Sequence, residues 1–101
     1  MSRNYSTRRD GHTFDESTIE AVWRRGNLDH GYVGFRKDTC GASMQRTKYG
    51  RTEQFGWEID HIQPVALGGT DNTSNLQPLQ WENNRHKSDN PPNNWSCKVR
   101  Y

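Results

Sequence analysis

Trp57 to Lys87 reads WEIDHIQPVALGGTDNTSNLQPLQWENNRHK, and this stretch decides the fold. Trp57 and Ile59 alternate with Glu58 and Asp60, the period of a strand with one buried face. The strand is expected to end or distort at Asp60-His61, because strand neighbours project to opposite faces whereas joint chemistry needs both near one point. Pro64 blocks simple continuation, Gly68-Gly69 with Asp71, Asn72 and Ser74 make a loop, and Asn75-Leu76-Gln77 restarts the chain. A helix from about Leu79 to Lys87 follows and stops before Asn90-Pro91-Pro92, since a residue preceding proline avoids the helical region. Gln80, Asn84 and Lys87 are spaced by four and three and share a face, while His86 lies on the other side and reads as a surface or packing histidine. An acid beside an imidazole, with amides arriving from a helix, suits a hard cation and a base better than a core.

At 101 residues there is room for one domain. Hydrophobic residues make up only 29% of the chain, so the core must be small, and four Trp, four Tyr and three Phe have to supply much of the buried area. No apolar run approaches the ~20 residues that span a bilayer, which excludes a membrane helix. Met1 to Gly11 is polar and lacks the apolar centre of a secretory signal, so the expected setting is cytoplasmic. Cys40 and Cys97 accordingly read as reduced thiols. The net charge of +2 hides an asymmetry: residues 1–52 hold ten Lys/Arg against six Asp/Glu, and residues 53–101 hold four against six. A basic half beside an acidic half suits a polyanion held next to a cation-binding centre, or simply a mixed surface.

Residues 1–12, with Arg3, Arg8 and Arg9, read as a flexible basic arm, and residues 13–101 as the folded domain. Thr13 with Glu16, and Ser17 with Glu20, have capping-box spacing, and Ile19, Val22 and Trp23 form an apolar stripe before Gly26, so a helix is expected over about Asp15 to Arg25. Asn27 to Gly34 is a loop, Phe35 to Gln45 is extended, and Arg46, Lys48 and Arg51 mark a basic turn. Trp95, Cys97, Val99 and Tyr101 alternate with Ser96, Lys98 and Arg100 as in a last strand.

The ordered motifs DHIQP, GG, NLQ and NNRHK resemble those of the HNH endonucleases, whose site is a ββα-metal motif. They cover about a third of the chain, and RKDTCG and VWRRG extend a weaker likeness over residues 17–90. The resemblance implies a small α+β domain with a flanking N-terminal helix and extra strands around the ββα unit. It implies that His61 is the catalytic base, that Asp60 and Asn84 hold a divalent cation such as Mg²⁺ or Mn²⁺, and that Asn75 supports the loop structurally. Asn84 stands where other members carry His. Many members also brace this motif with zinc held by two Cys-x-x-Cys pairs. The corresponding positions here are Lys37, Cys40, Gln80 and Asn83, so no structural zinc is expected, and Trp57, Trp81 or Trp95 are expected to pack in its place.

The function expected is hydrolysis of DNA phosphodiester bonds by a His-activated water with one divalent cation. Double-stranded DNA is the expected partner, met at its backbone by Arg46, Lys48, Arg51 and Lys87. The alternatives are a non-catalytic nucleic-acid-binding module of the same fold and a nuclease toxin. A lone site per chain leaves a homodimer open.

Overall fold

The computed structural model describes residues 5–101, so Arg3 of the expected arm lies outside the described residues. In chain order the elements are α1 (Glu16–Trp23), β1 (Asn27–Leu28), β2 (Phe35–Lys37), β3 (Ser43–Gln45), β4 (Trp57–His61), β5 (Leu76–Gln80) and α2 (Trp81–Lys87). Strands β1, β2 and β3 form one antiparallel sheet, and β4 and β5 form a two-stranded antiparallel ribbon. Two helices with two antiparallel sheets make the expected α+β fold, and β4, β5 and α2 are its ββα unit. No helix among the described residues is long and apolar enough to cross a membrane.

Helix α1 starts on Asp15, whose Oδ1 accepts from Thr18 N at 2.9 Å. Neither capping box anticipated from Thr13 or Ser17 is the cap. A carboxylate at the N-cap satisfies a free N–H and complements the helix dipole, so Asp15 wins the position. The stripe of Ile19, Val22 and Trp23 is buried against Phe14, Met44, Trp57, Ile59 and Leu76, with Tyr49 packed on the cluster. Trp57 sits at its centre, its ring 5.1 Å from that of Trp23 and 4.9 Å from that of Tyr49.

Strand β4 departs from its expected pattern in its burial. All five of its residues are buried, because the α1 core covers Trp57 and Ile59 while α2 covers the polar positions Glu58 and Asp60. Pairing continues undistorted through Asp60↔Gln77 and His61↔Leu76, and the strand ends at His61, within the Asp60-His61 pair where its end was expected. Both side chains still line one cleft. Two-stranded ribbons twist more strongly than wider sheets, which brings opposite faces to a common edge.

The stretch from Phe35 to Gln45 is a hairpin of β2 and β3, with Asp38 in the turn accepting from Cys40 N and Ala42 N, both at 2.9 Å. Trp95 to Arg100 keep the expected burial alternation, but Tyr101 is exposed and these residues form no strand. Their backbone is held instead by Asn83, whose Oδ1 accepts from Lys98 N and Val99 N at 2.8 Å each and whose Nδ2 donates to Val99 O at 2.8 Å.

Cys40 and Cys97 are joined in a disulfide across 57 residues, which corrects the reading of both as reduced thiols. With Asp38 and Asn83, this bond ties the β2–β3 turn, the start of α2 and the C-terminal segment together. Of the tryptophans expected as the brace, Trp57 belongs instead to the main core, while Trp95 lies near the join beside Thr39 and Cys97; the join itself is covalent and polar. From residue 5 onward the N-terminal segment is also tied down. Ile59 N donates to Ser6 Oγ at 2.8 Å, Thr7 pairs with Thr13, and Arg9 N donates to Asp71 Oδ1 at 3.1 Å. The expected division of a flexible arm from the domain at residue 12 therefore has no counterpart in these contacts.

Candidate active site

The cleft beside α2 is lined by Asp60, His61 and Asn84, and by Tyr5, Ser6 and Thr7 of the N-terminal segment. His61 ends β4 with its ring almost wholly buried, and its Nε2 lies 2.8 Å from Asp71 Oδ1. Among the described residues nothing bonds to Nδ1. Asp71 in turn accepts from the backbone N of Arg9, and the Arg8 guanidinium lies 3.9 Å away. Partial burial works to raise the Asp71 pKa, but the hydrogen bond to His61, the one from Arg9 N and the neighbouring positive charges hold it below the ordinary carboxylate value.

The loop that delivers Asp71 is shaped by two features legible in the sequence. Gly68 has φ +92°, the left-handed region, and at Gly69 a Cβ would collide with the Gln63 carbonyl, so the Gly-Gly pair is a steric requirement. Asn75 then closes the loop. Its Oδ1 accepts from Gln63 N at 2.9 Å, and its Nδ2 donates to Gln63 O at 3.1 Å and Thr70 O at 2.9 Å. Asn75 is outside the residues lining the cleft; its partners Gln63 and Thr70 stand two residues after His61 and directly before Asp71.

Asp60 is 6% exposed. Its Oδ1 lies 3.2 Å from Lys87 Nζ and its Oδ2 accepts from Gln77 Nε2 at 2.9 Å. Burial pushes the Asp60 carboxyl above its ordinary pKa, although Lys87 and Gln77 pull the other way. Asn84, on the adjacent face of α2, donates Nδ2 to Glu58 Oε1 at 2.9 Å. Among the described residues no donor meets its Oδ1. Glu58 is 3% exposed and also holds Arg85, with Nη2 at 2.9 Å from Oε2.

The candidate phosphate contacts fare differently. Lys87 is fully buried and spends its ammonium on Asp60 and on the His61 carbonyl at 3.0 Å, so it is internal support, which corrects its reading as a backbone contact. Arg46 is held by Glu16 at 2.7 Å and Glu20 at 3.0 Å. Lys48 and Arg51 lie 3.7 Å and 3.3 Å from Glu53 and keep exposed surface. None of these three lines the cleft. The sequence reading missed Glu58, Asp71 and Gln77. Glu58 had a signal: two positions before Asp60 on a strand, it had to share Asp60's face. Gln77 and Asp71 became partners only through strand register and loop closure.

Oxygen donors decide whether this site suits a divalent ion. The described residues contain no cluster of three or more His, Cys, Asp or Glu that could cage a metal. What they offer is one carboxylate and one amide oxygen, and Mg²⁺, which keeps several waters and shares its shell with phosphate, needs little more from a protein. The four positions that would hold zinc in braced relatives are otherwise engaged: Lys37 reaches toward Ser43, Cys40 is in the disulfide, Gln80 caps α2 and Asn83 binds Asp38.

No curated protein and no solved structure matches the chain. A protein-family model does, over residues 39–90, just over half of the chain, and it spans β3, the ββα unit and every residue of the cleft outside the N-terminal segment. HNH proteins of this kind generally act on nucleic acid and use divalent metal ions. The matching model is described as HNH endonuclease, and the chain belongs to that family.

Proposed function

We propose that the chain is a metal-dependent endonuclease that hydrolyses DNA phosphodiester bonds. The observation that carries the reading is the setting of His61: it lines the cleft with Asp60 and Asn84, and its Nε2 lies against the Asp71 carboxylate, which only accepts, so in a neutral ring the basic nitrogen is Nδ1, for which the described residues supply no partner. Histidine titrates near neutrality, so Nδ1 can take the proton from a water attacking phosphorus. The bond from phosphorus to the 3′ oxygen then breaks, giving a 5′ phosphate and a 3′ hydroxyl. A Mg²⁺ or Mn²⁺ ion held by Asp60 and Asn84 Oδ1 would supply stabilisation of the charge that develops on the phosphoryl and leaving oxygens. Lys87 opposes the effect of burial on Asp60 and holds its carboxylate in place, and Asn75 fixes the loop that follows His61.

Lys48 and Arg51 are the expected contacts for the backbone of double-stranded DNA, joined by Arg46 where its ion pairs to Glu16 and Glu20 open. One such site cuts one strand, so a double-strand break needs two subunits or two events. As to setting, the Cys40–Cys97 bond weighs against the cytoplasm expected from the sequence, where thiols are kept reduced. Incubation of supercoiled plasmid with the protein and Mg²⁺ or Mn²⁺ tests the proposal. His61→Ala should slow cleavage by about 10²–10⁴-fold while labelled DNA is still bound. Equal rates for the two proteins, with binding intact, would leave a non-catalytic binding module.

A further inference from the structure

We infer that Glu58 is a positioning residue that decides which end of the Asn84 side chain faces the cleft. This rests on the reading of Asp60 and Asn84 as cation ligands. A primary amide has two ends of similar shape and opposite character: Oδ1 accepts and would bind a cation, whereas Nδ2 donates and would repel one. Nothing in the backbone of α2 distinguishes the two rotations. Glu58 does, because a carboxylate paired with Arg85 only accepts, and it takes Nδ2 at 2.9 Å. Oδ1 is thereby turned away from Glu58, and Asn84 lines the cleft together with Asp60 and His61.

The placement follows from strand geometry. Glu58 and Asp60 alternate with Trp57 and Ile59, so both carboxylates face α2, one reaching Asn84 and the other Lys87. Anchoring Arg85 alone would not account for the burial of Glu58. The Arg85 side chain is 38% exposed and also lies over the Tyr5 ring at 4.2 Å, while the Glu58 side chain is 4% exposed. The buried partner that needs a pure acceptor is Asn84, itself 5% exposed.

Glu58→Gln exchanges the pure acceptor for an amide. Arg85 keeps the new carbonyl oxygen, the new NH₂ meets Asn84, and Asn84 must turn Oδ1 toward it and Nδ2 toward the cleft. Mn²⁺ binding, followed by the electron paramagnetic resonance of the free ion, should weaken by about 10–100-fold with the circular dichroism spectrum unchanged. Adding Asn84→Asp should restore affinity to within about threefold of wild type, because a carboxylate presents an oxygen in either rotation. Wild-type affinity in Glu58→Gln, or failure of the double variant to recover, would overturn the inference. A measurement on the unaltered protein guards against misfolding of the variant: the Asn84 side-chain NH₂ resonances should stay protected from solvent exchange before and after Mg²⁺ is added, and their loss on addition would overturn it as well. Asn84→Ala separates the two levels of argument. If it lowers Mn²⁺ affinity while Glu58→Gln does not, the role of Glu58 alone fails; if it leaves affinity unchanged, the cation reading of the site fails and takes this inference with it.

Discussion

Asn83 and Asn84 are neighbours on α2, and each meets a buried carboxylate, but the two clusters are built to different ends. Asp38 accepts from Cys40 N and Ala42 N on one oxygen and from Gln80 N and Asn83 Nδ2 on the other, between 2.9 and 3.0 Å. A carboxylate has about four acceptor positions, so Asp38 is saturated, and Asn83 spends its remaining capacity on Lys98 and Val99. Asp60 has only Lys87 and Gln77 among the described residues, and the Asn84 oxygen has no donor there. One cluster is closed and ties chain segments together; the other is left open on the side of the cleft. Burial alone does not distinguish them, since Asp38, Asp60, Asn83 and Asn84 are all buried. Counting unused lone pairs does.

The closed cluster should carry stability without chemistry, and the disulfide at its edge offers the largest test. Removing a cross-link over 57 residues restores conformational freedom to the unfolded chain, an entropic contribution of about 4 kcal/mol. Cys97→Ser should therefore lower the free energy of unfolding in urea by about that amount, a large share of what a domain of this size possesses. Plasmid cleavage per folded molecule should persist at temperatures where the variant remains folded. A loss of cleavage beyond the loss of folded protein would mean that the two clusters are coupled through α2.

Lys87 tests the open cluster from inside. Lys87→Met fills a similar volume but leaves Asp60 buried without its cation, which should cost about 3 kcal/mol in unfolding free energy. Because Lys87 reaches no phosphate in this arrangement, the dependence of DNA affinity on salt should keep its slope, whereas a lost phosphate contact would reduce it by about 0.9. A changed slope would place Lys87 at the DNA after all.

That reversal shows what the sequence could and could not say. Asp60, His61, Asn75 and Asn84 could be singled out because they lie in one continuous stretch whose ordered motifs resemble those of HNH endonucleases, and the same resemblance implied the α+β class; the structure brings Asp60, His61 and Asn84 to one cleft and Asn75 to the loop beside it. Lys87 was placed on the correct helix face, but a lysine on a helix face reads the same whether a buried carboxylate or solvent lies opposite. Asp38 and Asn83 carried no signal at all, since each is an ordinary turn or helix residue until the hairpin, α2 and the C-terminal segment converge. Cys40 and Cys97 could be paired only by that same convergence. The N-terminal segment, polar and rich in arginine, gave no hint that Ser6 accepts from Ile59 and that Arg9 meets Asp71.

Asp71 yields the smallest effect, and it bears on the rim between the open cluster and that segment. Its folded-state pKa lies below the ordinary 3.8: partial burial opposes this, and the hydrogen bond to His61, that from Arg9 N and nearby positive charge outweigh the burial. An acid with a depressed folded pKa binds its proton more tightly when unfolded. Its stabilisation is therefore fully present above the unfolded value and lost as pH falls through the folded one. Asp71→Asn removes that titration. The gap in stability between wild type and variant, measured by urea unfolding from about pH 6 to about pH 2, should be widest at the upper end and close as the pH drops below the ordinary 3.8. A gap independent of pH would mean that Asp71 holds His61 and the arm as a neutral acceptor would, and that its charge contributes nothing to holding the His61 ring.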